Sequence, residues 1–264
     1  MAKKSSKTDI ITSVIFFVLA AALILFEILP ISFSDDEAAI PLIKTAVSRF
    51  LGGFIFLILI IRMKYRVFGS VSKKYLEGAL LCFPALVIVV NNLPIIGLVS
   101  GNAYVERADL IPLFALQCLA IGFFEELAFR GFVFPYAMEK RHETRTGIFF
   151  SIVISGGIFG LVHMLNLFAG ASPASVFLQI GYSFLIGAMC SVVLLRTNNI
   201  WICAALHAIY DFCGFLVPTL GGGKIWDTAT VILTVILSLS VTAYMAYLFF
   251  TTDIEDAKNI YRQN

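Results

Sequence analysis

Three short stretches of an otherwise apolar sequence carry side chains able to move protons. They are Phe123-Phe124-Glu125-Glu126-Leu127-Ala128-Phe129-Arg130-Gly131-Phe132, Phe159-Gly160-Leu161-Val162-His163 and His207-Ala208-Ile209-Tyr210-Asp211. On a helix, Glu126 and Arg130 stand four apart on one face and can form an ion pair. Glu125 is rotated about 100° from that face, because a turn takes roughly 3.6 residues. The spacing therefore predicts two jobs, structural for Glu126 and chemical for Glu125. Phe159 and His163 share a face, so Phe159 can wall the site in which His163 acts. His207 and Asp211 also share a face, where the carboxylate can fix the imidazole tautomer or join a metal shell.

A glutamate, two histidines and a further acid on separate segments are the inventory for activating a water. With a divalent metal such as zinc, two histidines and a carboxylate make a three-ligand site with an open position. The candidates for that shell are His163, His207, Asp211 and Glu125. Without a metal, glutamate acts as general base and histidine donates a hydrogen bond to the developing oxyanion. The sequence has no HExxH, so any metal site must be assembled across helices rather than on one. Both routes stay open at this point.

The composition says what holds these groups. Of 264 residues, 59% are hydrophobic and 14% charged, with a mean hydropathy of +0.93. An ordinary soluble domain is roughly 45–50% apolar and about 25% charged. Disorder, a disulfide-rich module and a nucleic-acid binder are excluded. The five cysteines fall in apolar runs without CxxC spacing, as packing residues do. What remains is an all-α, polytopic membrane bundle forming one integral membrane domain over 1–264, with the motif-bearing core at about 110–219.

A bilayer core of about 30 Å takes ~20 apolar residues per helix. Eight spans are predicted, at about 10–31, 40–61, 77–99, 110–135, 147–165, 174–195, 200–219 and 229–250. With the N-terminus inside, 14 of the 19 Lys and Arg fall in inside segments, which predicts both termini on the cytoplasmic side. Ionisable groups in a span cost roughly 2.5–3.5 kcal/mol each. Glu27, Lys44 and Arg49 are accounted for by snorkelling or mutual pairing near span ends. Glu125, Glu126, Arg130, His163, His207 and Asp211 are not. At about 1.5 Å per residue, Glu125 and His207 lie roughly 15 and 11 Å from the inner ends of their spans. His163 fits that depth if its helix starts near Glu139. The count predicts a water-filled cavity opening toward the cytoplasmic half.

The ordered motifs resemble the CPBP family of CAAX prenyl proteases and bacteriocin-processing enzymes, also called Abi. Its pattern of EExxxR, FxxxH and HxxxN or HxxxD is matched by Glu125-Glu126-xxx-Arg130, Phe159-xxx-His163 and His207-xxx-Asp211. The resemblance implies an intramembrane endopeptidase acting on a membrane-associated peptide or protein. It implies Glu125 as the water-activating residue, His163 and His207 as its catalytic companions, and Glu126, Arg130, Phe159 and Asp211 as supports. Asp211 stands where many members have Asn, which makes metal ligation more plausible here. The short loops and charge bias suit a bacterial plasma membrane. Two other readings use the same residues: a proton-coupled transporter, with Asn91-Asn92 and Pro94 as an unwound binding segment, and a non-catalytic immunity or adaptor protein.

Overall fold

The computed structural model describes residues 29–69, 73–141, 144–168, 170–258 and 260–261, with eight isolated residues between 14 and 27. Half of the first predicted span, 10–31, lies outside the described residues, as does His142. The described elements are α1 (Ala39–Met63), α2 (Lys73–Leu81), α3 (Phe83–Val90), α4 (Ile95–Val99) and a short strand β1 (Ala103–Val105). There follow α5 (Ile111–Glu126), α6 (Phe134–Arg141), α7 (Arg145–Val162), α8 (Pro173–Thr197) and α9 (Ile200–Leu220). Strand β2 (Gly221–Gly223), α10 (Thr228–Thr251) and α11 (Ile254–Lys258) complete the described chain.

Among the described residues, six helical stretches are long and apolar enough to cross a membrane: 39–63, 108–141, 145–167, 173–197, 200–220 and 228–251. The all-α membrane bundle stands, whereas the expected third span, 77–99, is not one rod. It breaks at Cys82, ahead of Pro84, and again over Asn91–Pro94. Proline removes a backbone donor and disfavours helix in the residue before it. The second break is tied down, with Asn91 Nδ2 donating to Thr234 Oγ1 at 2.9 Å and Asn92 Nδ2 to the Tyr210 carbonyl at 3.1 Å. A tethered hinge is the observed form of the segment that suggested an unwound binding site.

Side-chain caps open the later helices, each satisfying a backbone donor that the helix leaves orphaned. Thr144 accepts from Gly147 N, Ser172 from Ser175 N, Asn199 from Trp201 N and Asp227 from Thr230 N. α6 ends at Arg141 and α7 begins at Arg145, so the helix bearing His163 does not start near Glu139. Two basic residues at this end serve the fold. Arg145 donates to the Phe249 and Thr252 carbonyls, and Arg196 to the Leu248 carbonyl, closing the C-terminus of α10.

The site is positioned by two close helix contacts. α5 meets α9 at Gly122, where a Cβ would lie 2.6 Å from the Ala204 carbonyl and 2.9 Å from Ala208 N. That contact sets the Glu125–Glu126 turn beside His207. α7 meets α8 through a small-residue face, since a Cβ on Gly160 would lie 2.8 Å from the Ile180 carbonyl. At the far end, β1 and β2 pair antiparallel, with Ala103 opposite Gly223 and Val105 opposite Gly221, tying the start of the α5 limb to the end of α9. α10 is the least buried of the long helices and exposes Ile232, Ile236, Leu239 and Phe250, the surface expected against lipid.

Gly122→Ala should lower stability by about 1–3 kcal/mol through overpacking, read as a lower Tm of the detergent-purified protein. Gly157→Ala, where a Cβ meets nothing within 4 Å, should not. Outside the spans, Arg107 hydrogen-bonds Asp36 at 2.5 Å and Asp109 at 2.7 Å. Those bonds hold both carboxyls below their usual range. Stabilisation from depressed carboxylates is present above their ordinary pKa of about 4 and is lost as pH falls through the lowered value. The Tm deficit of Arg107→Gln should therefore be full near neutrality and shrink in acid below that range.

Candidate active site

The chemistry-bearing residues converge from three helical limbs, 111–133, 145–167 and 200–220. Glu126 ends the regular turns of α5, and residues Leu127–Val133 continue as a wide π-helical stretch. Such stretches recur at functional sites, and the extra residue per turn carries Arg130 into the protein interior. Arg130 Nη1 donates to Glu126 Oε1 at 2.9 Å, and Nε donates to the Gly187 carbonyl at 3.2 Å. Both side chains are 0% exposed. Gly187 is required by this fit, because a Cβ there would lie 2.2 Å from Arg130 Nη2. The guanidinium also stacks 4.4 Å from the centre of the Phe159 ring, a cation–π contact in a dry setting.

His207 enters the same cluster from α9. Its Nδ1 lies 2.7 Å from Glu126 Oε1. Glu126 is paired with a guanidinium and therefore accepts, so His207 Nδ1 carries the donated proton and Nε2 is turned outward. Nε2 lies 3.5 Å from Glu125 Oε2 and 3.7 Å from Asp211 Oδ2. Phe159 stands edge-on to both histidine rings, 5.2 Å from His163 and 5.7 Å from His207 between centroids. His163, at the start of a 3-10 turn (His163–Leu167) beyond α7, places Nδ1 2.9 Å from the Phe159 carbonyl. A carbonyl only accepts, so this nitrogen is the donor and Nε2 is the free one.

A cavity of about 270 Å³ unites these groups, lined by Glu125, Phe159, His163, His207 and Asp211, with Arg49, Gln117, Asn166, Gln179, Tyr182, Tyr210 and Thr219 among its other walls. Glu126 and Arg130 lie beneath it and do not line it. A larger apolar cleft, between α8 and α10, shares the Tyr182 and Tyr210 wall. The cavity opens away from the end that holds Arg62, Lys64, Lys140 and Arg141, not toward it as the depth count predicted. Along one face of α9, exposure rises from 4% at His207 and 8% at Asp211 to 39% at Phe215, and Thr219 is exposed. The depth count measured from the wrong end, because α7 carries His163 past the middle of the bundle to its far side.

Residues 107–213 match the family model described as type II CAAX prenyl endopeptidase Rce1-like. Over this segment, the chain is similar to the CAAX protease (CPBP) family. That similarity supports a membrane-embedded peptidase in general terms, with a lipid bilayer as its setting and a peptide as its substrate class. The matched segment contains all three motifs and runs from the start of the α5 limb into α9. No curated protein and no solved structure matches the chain.

The motif residues are brought together, and the charged groups between them divide as the helical spacing predicted, Glu126 inward and Glu125 toward the cavity. Among the described residues, no cluster of three or more His, Cys, Asp or Glu has the geometry to hold a metal ion. Glu126 and the Phe159 carbonyl each occupy one histidine nitrogen. Those bonds leave each Nε2 able to ligate, but as arranged His163, His207, Asp211 and Glu125 do not converge on one metal position. Arg49, expected to snorkel or to pair near a span end, does pair with Glu27, but its place in the cavity wall was not anticipated. Its guanidinium lies 5.2 Å from the Phe124 ring centre and its Nε 3.2 Å from Glu27 Oε1, and it lines the cavity. Gln117 was legible in principle, eight residues before Glu125 on the same helical face.

Arg130→Leu leaves Glu126 buried beside His207 without its cation, a change expected to cost about 3–5 kcal/mol. The measurement is thermal unfolding, and a Tm within error of the parent would contradict the assigned structural pair.

Proposed function

We propose that the chain is an intramembrane endopeptidase in which Glu125 is the general base for an attacking water. The observation that supports this most is the unequal placement of the two adjacent glutamates. Glu126 is sealed by Arg130 and His207, whereas Glu125 faces the cavity with Oε2 3.5 Å from His207 Nε2. That separation is longer than a direct hydrogen bond of good geometry and suits a site that tightens when substrate and water are held.

In the proposed reaction a water in the cavity is held between Glu125 and His207 Nε2. Glu125 takes its proton as the water oxygen attacks the scissile carbonyl carbon. The resulting oxyanion is met by the cavity-facing Nε2 of His163 or His207 when that nitrogen carries a proton. Collapse breaks the C–N bond, and Glu125 returns the proton to the leaving amine, so the net change is hydrolysis. Glu126 acts one step back, holding the His207 tautomer through Nδ1. Asp211, 3.7 Å from Nε2, positions the other side of the same ring, and Phe159 walls both imidazoles away from lipid.

The substrate class is a membrane-associated peptide or protein, and a bacterial plasma membrane suits the short loops. The family model is described as a CAAX prenyl endopeptidase, but the groups at this site require only a peptide bond delivered to Glu125. A divalent metal is an alternative means of activating the same water. It would need both Nε2 atoms, already oriented by their Nδ1 partners, to converge with Glu125 or Asp211.

Membrane-associated peptides compared by mass spectrometry between cells with the parent protein and cells with Glu125→Gln should differ by cleavage products present only with the parent. For a substrate so found, purified Glu125→Gln should turn over at least about 10²-fold more slowly, the scale of general-base catalysis; near-parental turnover would sink the proposal. Activity should also survive prolonged chelation. Loss on chelation with recovery on zinc addition would transfer the water to a metal.

A further inference from the structure

We propose that the cavity takes its substrate from the exocytoplasmic side of the membrane. This rests on the peptidase reading only for what enters; the side of access follows from the fold and the charges alone.

The cavity has a floor and a mouth at opposite ends of the bundle. The floor is the Glu126–Arg130 pair, and below it Leu127, Phe134 and Met138 are fully buried, so that end is plugged by packed side chains. The mouth lies where α9 ends and the α5 limb begins. There Thr219 of α9 and Gln179 near the start of α8 line the wall. Exposure climbs toward this end along the His207–Asp211–Phe215–Thr219 face. The β1–β2 pairing of 103–105 with 221–223 places both limbs of the mouth at one level.

The charges orient these two ends. Arg62, Lys64, Arg66, Lys140 and Arg141 mark the plugged end, even when the helix-capping Arg145 and Arg196 are set aside. The mouth end has Arg107 and Lys224 against Asp36, Glu37, Glu106, Asp109 and Asp227. Excess Lys and Arg in short loops faces the cytoplasm, and acidic residues contribute little to the choice. The plugged end is therefore cytoplasmic and the mouth exocytoplasmic. A peptide bond reaching Glu125 by this route belongs to the exocytoplasmic part of a membrane-bound chain or to a peptide on the outer leaflet. A cytoplasmic C-terminus would have to pass the Glu126–Arg130 floor.

The test is labelling with a membrane-impermeant maleimide on intact cells expressing full-length Thr219→Cys, Gln179→Cys or Lys64→Cys. The parent's cysteines are all buried and set the background. Thr219→Cys and Gln179→Cys should be modified without permeabilisation, and Lys64→Cys only after it. Two mouth positions guard against one variant failing to fold. The opposite pattern, with Lys64→Cys modified in intact cells and the mouth positions protected, would overturn the proposal. Repeating the labelling in Glu125→Gln separates the two readings. An inactive or non-peptidase protein would still show the side of access, and a reversed pattern would leave the chemistry at Glu125 untouched.

Discussion

A carboxylate and a guanidinium with no exposure to solvent or lipid, Glu126 and Arg130, set the constraint that the surrounding architecture satisfies. Taking both charges out of water costs several kcal/mol per ion, and their attraction offsets this only with good geometry and further hydrogen bonds. The added partners here are the Gly187 carbonyl, the Phe159 face and His207 Nδ1. Each partner comes from a different helix. The pair therefore fixes the relative placement of α5, α7, α8 and α9 as well as its own turn, and the π-helical stretch and the missing Cβ at Gly187 are what let Arg130 reach it.

From that constraint the reactive groups follow. His207 is oriented through its buried nitrogen, so its other nitrogen is presented to the cavity beside Glu125 and Asp211. Phe159 does two things at once, covering Arg130 and walling the histidines. The adjacent glutamates, identical in chemistry, differ by one helical step. That step puts one carboxylate in the floor and the other in the lining.

Much of this was legible because helix geometry converts spacing into facing. The i, i+4 relations of Glu126–Arg130, Phe159–His163 and His207–Asp211 are properties of single helices, and they are present in the structure. Hydropathy likewise located the long apolar helices, since an 18- to 25-residue apolar run has few alternatives in a bilayer. What stayed hidden depends on relations between helices. The broken segment at 73–99 reflects two prolines acting with Asn91 and Asn92, whose partners Thr234 and Tyr210 lie far along the chain. The direction of the cavity depends on where α7 ends relative to α9, which no count along one helix reports. Arg49 pairs with Glu27 as a span-end cation can, but its place in the cavity wall beside Phe124 depends on packing between helices.

Under the proposed mechanism, neighbouring glutamates divide chemistry from support. The most direct measurement sets Glu125→Gln beside Glu126→Gln in the same purified preparation and follows turnover and Tm together. Glu125→Gln is expected to abolish turnover at parental Tm, whereas Glu126→Gln should lower Tm and lose activity through the displaced His207. Full turnover by Glu125→Gln, with a stable but inactive Glu126→Gln, would contradict it.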